Sequence, residues 1–178
     1  EHTPNGRLLV YDPITQKTTT LLNNLYFANG VALSSDESFV LVNETLMYRI
    51  QKYWLKGDKA GTSEIFIENL PGFPDNVSSN EEGIFWVALF NPRNNFVEMS
   101  SNKPFLRKIV FRLPELLQPQ PINHSFVLGL NEDGKVVHNL QYQANEAYSP
   151  ITSVKQYNDT LYFGSLTHPG WGKIEVPK

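Results

Sequence analysis

The 178-residue chain is 40% hydrophobic and 19% charged, the balance of a folded domain rather than a disordered tail. Its 15 Lys and Arg against 18 Asp and Glu give a formal charge of −3, and the basic residues are scattered, which argues against a nucleic-acid partner. Without cysteine there are no disulfides, thiolate nucleophiles or Cys-based zinc sites, and no apolar run approaches the roughly 18 to 20 residues of a membrane-spanning helix.

In chain order, Glu1 to Arg7 has no signal-peptide character, and the chain opens without Met into a strand-like Gly6 to Asp12, which predicts an N-terminal truncation. Short β-branched and aromatic runs then recur at Arg7 to Tyr11, Lys17 to Leu22, Phe39 to Val42, Ile50 to Trp54, Glu64 to Ile67 and Ile84 to Leu89. Between and beyond them stand the turn pairs Asp12-Pro13, Ser35-Asp36, Glu82-Gly83, Asp133-Gly134 and Asn158-Asp159. The pattern is that of antiparallel hairpins. Helical spacing is confined to Phe96 to Phe105 and the Pro114 to Leu117 turn, where loop packing would give the same spacing.

One motif repeats. Asn29-Gly30-Val31-Ala32-Leu33-Ser34, a turn and Phe39 to Val42 are echoed by Asp75-Asn76-Val77-Ser78-Ser79, a turn and Ile84 to Ala88, with Asn29 and Asn76 standing 47 positions apart. A more distant copy runs from Ile151 through the Asn158-Asp159 turn to Ser165. A period of about 40 to 50 residues per four short strands is a propeller blade. The fold class expected is therefore all-β, a six-bladed β-propeller of which only the C-terminal three to four blades are present. Residues 1–178 are read as one domain that lacks its N-terminal blades, with an insertion or lid at about 90–107.

Blade topology puts certain loops on one face. Connections into an innermost strand, which hold Asn29 and the Asp75-Asn76 pair, open on the same side as the connections between the second and third strands. Asn43-Glu44-Thr45, Thr167-His168-Pro169-Gly170 and the insertion beginning at Phe90 belong to the latter. Phe96, Met99 and Phe105 of that insertion could close over an apolar substrate or simply pack the loop on itself. Glu44, Phe96, Phe105, Thr152 and His168 are the expected rim of a substrate pocket. Trp54 and Trp86 are expected to pack between blades.

Several ordered segments carry a family resemblance. Gly6-Arg7-Leu8-Leu9 through Pro13, Phe27-Ala28-Asn29-Gly30-Val31, Phe39 to Val42 with Glu44-Thr45, Tyr53-Trp54-Leu55-Lys56-Gly57, Leu70 to Asn76 and Phe85-Trp86-Val87 together resemble the strictosidine synthase-like family. The similarity is nearest to its adipocyte plasma membrane-associated protein-like members, within the paraoxonase- and regucalcin-like six-bladed propellers. Strictosidine synthases place a glutamate base just before the last blade's innermost strand, where this chain has Thr152, with Glu146 six residues upstream. A hydroxyl of ordinary acidity cannot take a proton from an ammonium, so amine-aldehyde condensation is not expected.

Paraoxonase-like lactonases bind calcium at the channel mouth, and this resemblance implies Asn29, Asp75 and Asn76 as metal ligands. Calcium takes six to eight oxygens, so further ligands would have to come from outside this segment. Each Asn alone also fits a turn that bonds its own backbone. Recurrence at one blade position favours the metal. The function implied is a calcium-dependent, arylesterase-like hydrolase of esters or lactones. A strictosidine synthase-like condensing enzyme and a non-catalytic propeller binding module are the alternatives, and no catalytic base is identifiable. Sequons at Asn43, Asn123 and Asn158, besides the one at Asn76, make the first three glycosylation candidates and suit a protein of the endomembrane system, plasma membrane or exterior.

Overall fold

The computed structural model describes residues 3–93, 105, 112 and 123–177. The described strands form four antiparallel sheets in chain order. The first pairs β1 (Gly6–Asp12) with β2 (Lys17–Leu25), and the second holds β3 (Ala28–Leu33), β4 (Phe39–Glu44), β5 (Arg49–Trp54) and β6 (Ser63–Ile67). The third holds β7 (Gly72–Ser79), β8 (Ile84–Pro92), β9 (His124–Asn131) and β10 (Val136–Gln143). The fourth holds β11 (Ser153–Tyr157), β12 (Thr160–Gly164) and β13 (Gly172–Glu175). These are two complete and two partial blades of a β-propeller. Both helical candidates, Phe96 to Phe105 and Pro114 to Leu117, lie outside the described residues except for Phe105 itself.

Turn chemistry closes the blades at the edge away from Asn29. Asn80 Oδ1 accepts the Glu82 and Ile84 amides at 2.9 Å each, and Asn131 Oδ1 accepts those of Asp133 and Lys135 at 3.1 and 2.9 Å. In the β3–β4 turn Asp36 takes the same part, accepting the Ser38 amide at 2.9 Å and the Ser34 hydroxyl at 2.8 Å. Asx turns of this kind supply side-chain acceptors to nearby backbone N–H groups.

Packing between blades explains β4, whose six residues are all buried. A strand covered on both faces reads as a continuous apolar run, as Phe39-Val40-Leu41-Val42 does. Phe39 and Leu41 join the cluster with Val77, Phe85 and Leu128, while Val40 and Val42 join Leu8 and Leu25 of the first sheet. By the same alternation Asn43 faces the third sheet and Glu44 the first. Trp86, 1% exposed, packs toward the fourth sheet and donates its indole N–H to Gln156 at 2.7 Å. Full burial of such side chains contributes roughly 1.5 to 3 kcal/mol each.

The innermost strands lie side by side. Asn76 N–H donates to Thr152 O at 3.2 Å and the Ser78 hydroxyl to Val154 O at 2.7 Å, tying β7 to the fourth sheet. Between β3 and β7 the approach is closer still: a methyl group on Gly30 would lie 2.5 Å from Val77 N, 2.6 Å from Asn76 Cα and 2.7 Å from Asp75 O. Those are backbone atoms and cannot step aside singly. Gly30→Ala is therefore expected to lower the unfolding free energy by about 2 kcal/mol in urea titrations. An unchanged midpoint would mean that the two strands are not held at this distance.

Candidate functional site

Antiparallel order brings six connections to one edge of the fan: β2–β3, β4–β5, β6–β7, β8–β9, β10–β11 and β12–β13. There Asn29, Asp75 and Asn76 converge. Asn29 Nδ2 donates to Asp75 Oδ1 at 2.8 Å and to Thr45 Oγ1 at 3.3 Å. Asn76 Nδ2 stands 3.5 Å from the same Asp75 oxygen and donates to Thr152 O at 2.8 Å. Among the described residues no donor reaches Asp75 Oδ2 or the Oδ1 atoms of Asn29 and Asn76. Burial pushes the Asp75 carboxyl above its ordinary pKa, partly offset by the Asn29 amide.

A cavity of about 410 Å³ opens beside this group. Phe27, Phe73, Phe90 and Leu166 supply its apolar walls, and Asn29, Thr45, Asp75 and Asn91 its polar groups. Phe27 holds a backbone φ of +55°, a region bulky side chains rarely adopt, and such strain concentrates at binding sites. Phe73 is fixed by the Tyr48 ring at 4.7 Å, and Arg93 lies over the other partner of that pair at 4.3 Å from the Tyr48 centroid.

Hard oxygen donors of this type suit a divalent cation such as calcium. One carboxylate and two amide carbonyls are fewer than the six to eight oxygens calcium takes, so they can form only part of a shell. No cluster of three or more His, Cys, Asp or Glu able to hold a metal is found among the described residues.

Other expected site residues lie elsewhere. Glu44 is no rim residue: it is the last residue of β4, 0% exposed, and accepts from Tyr26 N–H at 2.9 Å, Gln51 Nε2 at 2.9 Å and Arg49 Nε. Burial raises its pKa, but these three donors outweigh that and hold the carboxyl below the usual range. Thr152 is also buried, with its hydroxyl donated to Gly164 O at 3.3 Å, so it presents no group to the cavity. His168 is exposed on the β12–β13 loop, where its ring stacks on Tyr148 at 4.6 Å; Leu166, two residues earlier, is the cavity wall. The Phe105 side chain is exposed, and Phe96 and Met99 lie outside the described residues.

The glycosylation candidates divide in the same way. Asn43 is 0% exposed and its amide donates to Asp75 O at 2.7 Å, which leaves no room for a glycan in the folded chain. Asn123 is exposed, and so is Asn158 at the tip of the β11–β12 turn. Sequence reasoning missed Phe27 and Phe73, although both stand two residues before Asn29 and Asp75 in the repeat, an offset that could have found them.

Comparison with known proteins agrees with this architecture. Residues 1–58 match the strictosidine synthase family model. The chain is 41% identical to Protein STRICTOSIDINE SYNTHASE-LIKE 10 of Arabidopsis thaliana, over 96% of this chain and 47% of that protein. It is 36% identical to the adipocyte plasma membrane-associated protein of Bos taurus, over 95% of this chain and 42% of the relative. Along nearly its whole length the chain is similar to members of the strictosidine synthase-like family, and it spans less than half the length of the curated relatives it matches. Among solved structures, a gluconolactonase from Xanthomonas campestris aligns with a TM-score of 0.57 at 14% identity, over 89% of this chain and 41% of that one. A calcium-binding regucalcin from Agrobacterium tumefaciens aligns at 0.56 and 16%, over 94% and 46%. These two show the six-bladed propeller fold.

The two carboxylates make opposite predictions. Glu44, whose folded pKa is lowered, stabilises the fold fully above the unfolded value near 4.5 and loses that contribution as pH falls through the folded one. Glu44→Gln is expected to lose about 2 kcal/mol at pH 7, with the gap to wild type narrowing below pH 4 in denaturant titrations. Asp75 is raised, so its ionised form destabilises the cation-free fold. Asp75→Asn, without added cation, is expected to match or exceed wild-type stability by roughly 1 kcal/mol. A clear loss instead would make Asp75 a structural residue.

Proposed function

We propose that this chain carries the channel mouth of a calcium-dependent hydrolase of esters or lactones, arylesterase-like in its use of an apolar substrate. The observation that supports this most is the convergence of Asn29, Asp75 and Asn76 beside an aromatic-walled cavity. Asp75 supplies negative charge, and the Asn29 amide at 2.8 Å fixes the carboxylate's direction. The Asn76 amide, anchored on Thr152 O, turns its own carbonyl away from the fourth sheet. Calcium bound there would polarise a substrate carbonyl and offset the charge developing on its oxygen. Phe27, Phe73, Phe90 and Leu166 would hold the apolar part of the substrate and exclude water. The aligned gluconolactonase and regucalcin share the fold alone, so the reaction rests on this chain's own residues.

Amine-aldehyde condensation finds less support. Thr152 spends its hydroxyl on Gly164 O, and Glu146 accepts the Tyr142 hydroxyl at 2.7 Å, a bond that holds its carboxyl below the usual range. Neither lines the cavity. For location, we propose the endomembrane system, the plasma membrane or the exterior, in keeping with the exposed sequons at Asn123 and Asn158 and with the name of the Bos taurus relative. Among the described residues no helix is long and apolar enough to cross a membrane.

Hydrolysis of phenyl acetate by the full-length protein, with and without a calcium chelator, tests the reading. Chelation and Asp75→Ala are each expected to lower the rate by about 100-fold or more. A rate untouched by chelation would reject the metal, and a wild-type protein without hydrolase activity would favour a binding module.

A further inference from the structure

We propose that Asn43 and Thr45 are positioning residues that aim the Asp75 carboxylate and thereby set the affinity of the mouth for its cation. The inference rests on the calcium reading above and concerns residues that the reading does not assign. Both stand on the corner where β4 ends, one blade away from Asp75. Asn43 Nδ2 donates to Asp75 O at 2.7 Å, and Thr45 Oγ1 donates to Pro74 O at 2.7 Å. Two consecutive peptide carbonyls are thus held by one corner.

On the far side of the same residue, Asn76 N–H is held by Thr152 O at 3.2 Å. With the peptides before and after Asp75 both tied, its backbone torsions are fixed, and with them the direction of its Cα–Cβ bond. Thr45 does more. Its hydroxyl oxygen accepts Asn29 Nδ2 at 3.3 Å while its backbone N–H donates to Phe27 O at 3.2 Å. One residue therefore touches the chain at Asn29, at the Phe27 wall and at the peptide before Asp75.

Asn43 carries a second sign of a specialised role. Its amide must present nitrogen to the Asp75 carbonyl, since oxygen there would repel, and the other end of the group then has a fixed place. Among the described residues Asn43 Oδ1 is buried without a partner. Buried polar atoms are nearly always satisfied, and an apolar side chain at this position of β4 would avoid the penalty. The bond to Asp75 O is the one thing an apolar residue could not supply.

The test uses full-length protein and reads calcium binding from the shift in unfolding temperature across a calcium titration, with no substrate present. Thr45→Val keeps the side-chain shape and removes both hydroxyl bonds; its calcium midpoint is expected to rise about tenfold or more, the usual effect of losing a group that orients a ligand. Thr45→Ser, which keeps the hydroxyl, is expected to stay within about twofold of wild type. Asn43→Ser gives a second arm, with a similar rise, should Thr45→Val fail to fold. A lowered calcium-free unfolding temperature with an unchanged calcium midpoint, or a Thr45→Ser variant as impaired as Thr45→Val, overturns the positioning role alone. A wild-type protein that calcium does not stabilise overturns the calcium reading first, and the positioning role with it.

Discussion

The approach of the β7 backbone to Gly30 is the contact on which the rest depends. Hydrogen bonds cannot hold two inner strands at that distance through a Cβ, and only glycine removes it. Because the strands meet there, Asn29 and Asp75, far apart in the chain, come within 2.8 Å of each other. The β4 corner reaches Pro74 and Asp75 for the same reason. Close packing of two inner strands is thus converted into a polar group with a defined direction at one edge of the fan.

Two buried or half-buried carboxylates within this region illustrate how environment divides labour. Glu44 has three donors, among them a guanidinium, and is held in its ionised form inside the protein. Asp75 has the Asn29 amide, with Asn76 Nδ2 farther off at 3.5 Å, beside a mainly apolar cavity, and its charge is under-compensated. Carboxylates pushed in opposite directions often mark a structural and a functional member of a pair. Here the satisfied one supports the joint between the first two sheets, and the unsatisfied one faces the cavity.

Much of the fold was legible because its signal is periodic. The motif shared by Asn29-Gly30-Val31 and Asp75-Asn76-Val77 marks inner strands, and antiparallel order then determines which loops share an edge. Glu44 and Asn43 were misplaced because β4 pairs to its last residue, so a corner assigned to loop is strand: Glu44 stands opposite Arg49 and Asn43 opposite Ile50. Alternation in a strand buried on both faces carries no inside-outside label, which is why neither residue looked internal. Thr152 was expected at the rim, where the family places a glutamate; what sequence does not encode is that a β-branched hydroxyl there turns back onto Gly164, away from the cavity. The β9 and β10 strands have only the Asp133-Gly134 turn to announce them.

Asn43-Glu44-Thr45 has the spelling of a glycan acceptor, yet each of its residues is committed to the interior or to the corner beside the mouth. An oligosaccharide on Asn43 and a natively packed β4 exclude each other. If the chain is made on secretory ribosomes, this tripeptide meets the transferase while still unfolded, and the two fates compete in time. A molecule modified at that asparagine could not close its second sheet onto its third, so correct assembly requires this segment to become hidden before the sugar arrives.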